Sequence, residues 1–201
     1  MNKTMLAAPL MGLLALGGCA RVRYPDYYTL NLPGPIARGS RPISASVTVR
    51  EFQAPQYLAR GPIVYRPDTE EIAFYDYHRW AEDPRRSVTA VIVRELGHVF
   101  ESASSYEGHE GSNFLLTGSL DRLEEVDRGS DVSVEVGLSA KLQNLRTGEL
   151  LWSGTSSKTS KVEQRSIAGI VAEMSHDLSD AATELVSSMR IKVSQRLVSS
   201  R

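Results

Sequence analysis

The sequence has little of three things: cysteine, net charge and long apolar runs. It contains one cysteine in 201 residues, so an intrachain disulfide cannot form. Its 23 basic and 24 acidic side chains leave a net charge of -1, and such a chain lacks the basic footprint of a nucleic-acid-binding protein. After the first 20 residues, no stretch is apolar over the roughly 20 residues that cross a bilayer, which excludes a multi-span membrane protein.

Sequence motifs for catalysis and metal binding are also missing. The chain has no G-x-S-x-G or S-x-x-K nucleophile motif, no H-E-x-x-H zinc motif and no Gly-rich phosphate-binding loop. Its four histidines do not follow a metal-ligand spacing. We therefore expect a protein that is not an enzyme and that holds no metal and no cofactor.

Residues 1–18 have the form of a secretory signal peptide. Lys3 is their only charged residue, and an apolar segment of about a dozen residues follows it. This segment is shorter than the roughly 20 residues of a membrane-spanning helix. The sole cysteine comes next, in Leu16-Gly17-Gly18-Cys19. These four residues resemble the bacterial lipobox, in which an aliphatic residue and two small residues precede a cysteine.

The lipobox resemblance implies that Cys19 is the lipid anchor and the first residue of the mature protein. Several acyl chains, at about 0.8 kcal/mol per buried methylene, make such an anchor close to permanent. The alternative is an ordinary secretory signal that ends near a cysteine. Ala20 rather than aspartate follows the cysteine. This favours an outer-membrane lipoprotein that faces the periplasm in the cell envelope of a Gram-negative bacterium.

The mature chain divides into a lipidated tether, residues 19–45, and one folded domain, residues 46–199. The tether is rich in proline and glycine and contains a short predicted strand, Tyr27-Tyr28-Thr29-Leu30. In the first half of the domain, the residue pattern predicts strands at 46–52, 63–65 and 71–77. Asp83-Pro84 predicts the start of a helix that ends near Phe100, followed by a Ser/Gly-rich loop at 102–112.

The second half of the domain has the clearest periodicity. Residues 114–126 are predicted to form a strand, and every even position from Val132 to Leu142 is then apolar. Six such alternations predict a strand with one buried and one wet face. A last strand from Glu149 is polar enough to lie at an edge. Residues 166–199 form a predicted helix about 50 Å long, which either breaks near 176–179 or projects from the body.

This order of elements predicts an α/β (α+β) two-layer sandwich. A mainly antiparallel sheet has two helices packed on one face, and a signal peptide and a tether precede it. Aromatic side chains cluster between residues 24 and 80. They either pack the first strands or form a contact surface for a protein or a lipid, since aromatics are enriched at interfaces.

A series of short motifs runs along the chain: Cys19, Tyr27-Tyr28-Thr29-Leu30, Val47-Thr48-Val49, Pro55-Gln56-Tyr57-Leu58, Ile63-Val64-Tyr65-Arg66 and Arg79-Trp80-Ala81-Glu82. Over roughly residues 24–195 this series resembles the ABC-type transport auxiliary lipoproteins of the PqiC/YmbA type. Their order and spacing carry the resemblance. The chain departs from the family where Glu82-Asp83-Pro84-Arg85-Arg86 replaces the usual Pro-Leu start of the helix.

The resemblance implies a non-enzymatic, periplasm-facing accessory subunit of a transport system. Its partners would be an MCE-type substrate-binding protein and the permease and ATPase of an ABC transporter, which move phospholipid or another hydrophobic solute between membranes. It also implies a ring-like homo-oligomer. The candidate partner-contact residues are Tyr57, Leu58, Tyr65, Arg66 and Trp80. Two alternatives stay open: a lipoprotein that itself carries a hydrophobic ligand, and a structural envelope lipoprotein.

Overall fold

The computed structural model of the protein describes residues 23–32, 42–106 and 111–199, so Cys19 and the predicted signal peptide lie outside the described residues. All eight described strands belong to one sheet. The two helices contact each other and cover one face of that sheet, which confirms the predicted fold class. In chain order the elements are β1 (Asp26–Tyr28), β2 (Ile43–Val49), a 3-10 turn (Leu58–Arg60), β3 (Pro62–Arg66), β4 (Ala73–Trp80), α1 (Pro84–Leu96), β5 (Phe100–Ser105), β6 (Phe114–Arg128), β7 (Asp131–Asn144), β8 (Leu150–Lys161) and α2 (Ile167–Ser199).

Strands β6, β7 and β8 form a long antiparallel ladder. The even positions of β7 from Val132 to Leu142 are buried on the side of α2, as their alternation predicts. Gly129 and Gly148 close the two turns at φ +72°, a conformation that glycine adopts without strain. Among the described strands β8 pairs only with β7, which confirms its predicted edge position.

The long strand β6 has two parallel partners on the edge opposite β7. β2 pairs with its beginning, where Val47 lies beside Phe114, and β3 pairs with its end, where Arg66 lies beside Val126. β5 extends the sheet beyond β2, while β4 and β1 extend it beyond β3. The longest pairings, within β6–β7–β8, are antiparallel, and so is the β3–β4 pair.

Two local predictions near the end of α1 are wrong. The helix ends at Leu96 rather than near Phe100, and part of the predicted loop forms β5, parallel to β2. Only Phe100 of this serine-rich strand is buried, so its sequence lacks the apolar alternation that indicates a strand. The start of α1 is as expected, because the carboxylate of Asp83 accepts a hydrogen bond from the Arg85 amide at 3.0 Å.

Helix α2 is continuous from Ile167 to Ser199, with no break near 176–179. Its core contacts extend to Val193, which is 1% exposed. Near its end, Arg196 donates to the carboxylate of Glu149 at 2.8 Å, so this turn lies against the start of β8. Among the described residues, no helix combines the length and the apolar character needed to span a membrane.

Residues 26–32, which belong to the predicted tether, pack against the domain. β1 pairs with β4, and Leu30 and Leu32 lie partly buried against the core. The amide of Asn31 donates to Ser175 Oγ at 3.1 Å, and Arg94 Nη1 donates to the Leu32 carbonyl at 3.2 Å. This segment therefore connects the outer strand of the sheet with both helices.

Candidate functional site

A buried carboxylate, Glu124, is the centre of a polar cluster near the end of β6. The Glu124 cluster, as we name it, consists of Tyr57, Arg66, Arg122, Glu124 and Glu135. Glu124 has no solvent exposure, although its register partner Glu135 lies on the sheet face opposite the apolar side chains of β7. Arg66 donates from Nε to Oε1 at 3.1 Å and from Nη2 to Oε2 at 3.3 Å. This two-pronged contact is the strong form of an arginine–carboxylate pair.

Tyr57 and Arg122 lie beside the same carboxylate, the first as a hydrogen-bond donor and the second as an ion-pair partner. The Tyr57 hydroxyl donates to Glu124 Oε2 at 3.4 Å. Arg122 Nη1 lies 3.7 Å from Glu124 Oε1 and also bonds to the Glu135 carboxylate. The Arg122 side chain is 52% exposed, whereas Arg66 is 17% exposed. The cluster is therefore closed around Glu124 and open to solvent at Arg122.

Three separate segments supply the cluster, and the sheet brings them together. β3 runs parallel to the end of β6, which places Arg66 beside Glu124. The chain between β2 and β3 first follows β6, with Gln53 paired to Ser119, and then reaches Tyr57 at the start of the 3-10 turn. Glu135 comes from β7, directly opposite Glu124.

The charges within the cluster balance, because two guanidinium groups face two carboxylates. The hydrogen bond to Glu124 raises the pKa of the Arg66 guanidinium above its usual value. Burial, followed by the charge of Glu124, raises the pKa of the Tyr57 phenol. Both groups therefore remain donors at neutral pH. A buried carboxylate is tolerated in a protein only with such compensation.

The neighbouring residue, Glu125, is buried on the other face of the sheet. The Tyr75 hydroxyl donates to its Oε2 at 2.7 Å, and the rings of Tyr65 and Tyr75 lie 4.7 Å apart between centroids. Burial raises the pKa of Glu125, the hydrogen bond from Tyr75 opposes that change, and the charge of Asp127 adds to it. Burial and the hydrogen bond to Glu125 also raise the pKa of Tyr75.

The structure places the sequence-predicted contact residues in three environments. Tyr57 and Arg66 meet at Glu124. Tyr65 lies on the other face beside Tyr75. Leu58 and Trp80, at 2% and 6% exposure, are packed in the core.

Sequence reasoning did not identify Glu124, Arg122 or Glu135. One signal was present: the two successive acids of Leu123-Glu124-Glu125-Val126 interrupt an apolar stretch of a predicted strand. Consecutive strand residues point to opposite faces, so the two acids lie on opposite faces of the sheet. The predicted helices cover one of these faces. A pair of this kind inside a strand indicates at least one buried carboxylate that needs a partner.

The Glu124 cluster offers hydrogen bonds and charge. Its carboxylates and guanidinium groups are paired with one another. Among the residues that the structure describes, no group of three His, Cys, Asp or Glu side chains could hold a metal ion. The arrangement suits a rigid contact surface.

The grooves on the described surface that are open to solvent include two beside the helices. One, of about 730 Å³, lies between α1 and the ends of β2 and β5 and is lined by residues that include Ala90, Val93 and Tyr106. The other, of about 590 Å³, lies between the start of β8 and α2, beside Leu150 and Ile191. Ligand pockets that hold hydrophobic molecules bury most of the ligand surface, which these open grooves do not.

Comparison with known families gives one match over most of the chain. The model of the family described as "ABC-type transport auxiliary lipoprotein component" matches residues 28–186. The matched range begins in β1 and ends within α2, and it includes the whole Glu124 cluster. No curated protein matches this sequence.

Solved structures share the fold at low sequence identity. Protein XCC0632 from Xanthomonas campestris is 20% identical, with a TM-score of 0.76, over 85% of this chain and 98% of that one. The PelC dodecamer from Paraburkholderia phytofirmans is 15% identical, with a TM-score of 0.50, over 79% and 94%. The hypothetical protein CT253 from Chlamydia trachomatis is 8% identical, with a TM-score of 0.51, over 75% and 98%. At these identities the likeness shows a common fold.

Proposed function

Because the chain belongs to the ABC-type transport auxiliary lipoprotein family, we propose that it is a non-enzymatic, lipid-anchored accessory subunit of an envelope transport system. The system pairs an MCE-type substrate-binding protein with an ABC permease and ATPase, and it moves phospholipid or another hydrophobic solute between membranes. The observation that carries this proposal is the family match from β1 into α2.

The proposed anchor is a lipid on Cys19, in the outer membrane, with the domain facing the periplasm. The Leu16-Gly17-Gly18-Cys19 motif and the lipoprotein description of the family both support it. With Cys19 modified, the mature protein would have no free thiol, because this is the only cysteine in the chain.

The proposed contact surface for the partner is the open side of the Glu124 cluster, around Tyr57, Arg66 and Arg122. Tyr57 and Arg66 are fixed by hydrogen bonds to Glu124, and Arg122 by its bond to Glu135, before a partner arrives. This lowers the entropic cost of binding. Leu58 and Trp80 belong to the core and contribute to partner binding only through the stability of the domain. We further propose a ring-like homo-oligomer, and the dodecamer of PelC, which shares the fold, supports an assembly of several copies.

Affinity capture of the full-length protein from gently solubilised envelopes tests the proposal. We expect an MCE-type protein and an ABC permease or ATPase to be captured with it and identified by mass spectrometry. Arg122→Ala tests the contact surface, because Arg122 is half-exposed and its removal leaves Glu124 paired with Arg66. Arg128→Ala is the control, since Arg128 is exposed at the end of the same strand.

Each outcome of the capture has a distinct meaning. Loss of the partners with Arg122→Ala but not with Arg128→Ala supports the contact surface. Equal capture by both variants removes Arg122 from it. Capture of the wild-type protein alone contradicts the accessory role. In that case, a lipid bound to the protein in native mass spectrometry would favour the ligand carrier, and its absence the structural envelope lipoprotein.

A further inference from the structure

Exposed tyrosines gather where the described chain begins. Tyr24, Tyr27 and Tyr77 are 79%, 63% and 38% exposed. Tyr24 and Tyr27 belong to the segment around β1, and Tyr77 lies on β4, which pairs with β1. Together with Arg23 we name these residues the β1 patch. Exposed aromatic side chains that are grouped in this way are typical of a contact site, since aromatics are enriched at interfaces.

The β1 patch carries one basic side chain, Arg23. The Arg23 guanidinium carbon lies 4.3 Å from the centre of the Tyr77 ring. A second arginine, Arg79, is the register partner of Tyr27, and its Nη2 donates to the Arg60 carbonyl at 3.4 Å. The nearest acids on the two strands are Asp26 and Asp76, which are also exposed. Asp26 lies 3.6 Å from His78 Nδ1.

The chain that joins this patch to Cys19 is very short. Arg23 is the fourth residue after Cys19, and Tyr27 is the eighth. At no more than about 3.6 Å per residue, these positions lie within about 14 Å and about 29 Å of the anchored residue. Because residues 26–32 are packed on the domain, they do not lengthen the connection between Cys19 and the domain. A lipid on Cys19 therefore keeps the β1 side of the domain close to the bilayer.

We propose that the β1 patch lies against the phospholipid headgroups of the membrane that carries the lipid anchor. This inference rests on the proposed anchor at Cys19. Tyrosine suits the headgroup region, because its ring is apolar and its hydroxyl is wet. Arginine extends its apolar stem along the surface and places its guanidinium at the phosphates. The domain is then held with one defined side down, rather than rotating freely on a long tether.

Unique thiols make the orientation measurable. In the lipidated protein Cys19 is blocked, so a cysteine introduced elsewhere is the only one to react with a fluorescent label. Thr29→Cys labels an exposed position two residues beyond Tyr27. Leu145→Cys labels the turn between β7 and β8, which is 49% exposed and is separated from β1 by β4, β3 and β6.

The labelled full-length proteins are reconstituted into vesicles of phosphatidylethanolamine and phosphatidylglycerol that contain a quencher attached to the lipid headgroup. Flotation with the vesicles first checks the anchor. We expect quenching at position 29 to exceed that at position 145 at least about threefold, because the interfacial layer is only about 5–10 Å deep. Replacing Tyr24, Tyr27 and Tyr77 with serine reduces the quenching at position 29. Tyr106→Ser, at a tyrosine that is 57% exposed on another part of the molecule, leaves it unchanged.

The results separate the patch from the anchor. Protein that does not float with the vesicles overturns the lipid anchor and this proposal with it. Protein that floats but shows equal quenching at positions 29 and 145 overturns the membrane contact alone. A label at position 29 that is shielded from water but not quenched from the headgroups also overturns it, and assigns the patch to a protein partner or a second copy.

Discussion

At the scale of single residues, Glu124 depends on Arg66. Its side chain has no solvent contact, and Arg66 bonds to both of its oxygens. Arg66→Met keeps the apolar stem but removes the charge. We expect the free energy of unfolding, measured with urea, to fall by about 1–3 kcal/mol, the cost of a lost hydrogen-bond partner at a buried group. Tyr57 and Arg122 remain beside the carboxylate.

A second variant separates the lost charge from lost packing. In Glu124→Gln combined with Arg66→Met, no buried charge is left without its partner, so the double variant should be more stable than Arg66→Met alone. Arg128→Met, at an exposed position, should stay within about 0.5 kcal/mol of the wild-type protein. A double variant that loses the sum of both single effects would contradict the pairing.

Glu125 makes the stability of the folded protein depend on pH. Burial raises the pKa of Glu125 above its value in the unfolded chain, so the folded state binds this proton more tightly. Its contribution to stability is complete below the unfolded pKa and is lost as the pH rises through the folded pKa. We expect Glu125→Gln to unfold at a higher temperature than the wild-type protein at pH 8, with the difference shrinking towards pH 4.

Other carboxyl groups do not obscure this comparison. The pKa values of Asp83 and Asp131 are lowered by hydrogen bonds from Arg85 and Lys161, so these residues change stability in the opposite direction. They titrate in both proteins and cancel in the difference. A gap in melting temperature that stays constant from pH 8 to pH 4 would mean that Glu125 does not titrate in this range.

At the scale of the elements, local periodicity predicted the strands and helices that have a regular apolar pattern of their own. The alternation in β7, the cap and apolar stripe of α1, and the apolar stripe of α2 all predicted their elements. β5 was missed because its neighbours β2 and α1 bury almost none of its side chains apart from Phe100. The parallel pairing of β2 with both β5 and β6 joins distant parts of the chain, so it leaves no local signal.

Strand β6 needs a glycine at position 118. A Cβ there would lie 2.4 Å from Phe52 Cζ and 2.7 Å from the Ser139 carbonyl oxygen. Gly118→Ala should therefore lower the free energy of unfolding by about 1–3 kcal/mol, the usual effect of overpacking. Gly137→Ala is the control on β7, because the closest atom to its Cβ would be 3.5 Å away. Equal urea midpoints for the two variants would show that neither Phe52 nor the Ser139 carbonyl opposes the added methyl group.

Helix α2 contributes to the core along most of its length. Met189 and Val193, both 1% exposed, are the last core residues that the structure describes in it. A chain that ends after Gln195 should keep a melting temperature near that of the full chain. A chain that ends after Leu185 loses Val186 as well as these two residues, and it should not fold cooperatively, since each such side chain contributes about 1.5–3 kcal/mol. Circular dichroism on heating distinguishes the two.

At the scale of the whole molecule, the Glu124 cluster shows what a sequence leaves hidden. Tyr57 and Arg66 were predicted as contact residues from a family resemblance. Their common partner Glu124 lies 58 residues after Arg66, and only the parallel pairing of β3 with β6 unites them. Patterns within one strand predict which face of it is buried, but they do not predict which other strand lies beside it. The residues of the site were thus partly predictable, while its geometry was not.

The segment from Arg23 to Leu32 belongs to the folded domain and contributes to its stability. As a free tether it would add no stability. As the structure has it, β1 pairs with β4 and two half-buried leucines, Leu30 and Leu32, join the core. A chain that starts at residue 33 should therefore be less stable than one that starts at residue 23 by about 2–4 kcal/mol, because full burial of a leucine contributes about 1.5–3 kcal/mol.

Urea unfolding of three chains tests this. Chains that start at residues 20 and 23 should have the same midpoint, because β1 and everything packed beyond it are present in both. The chain that starts at residue 33 should unfold at a lower urea concentration in a single transition, since the core around α1, α2 and β6–β8 stays whole. If all three midpoints coincide, residues 23–32 are a free tether in solution, and the domain is not held close to the membrane.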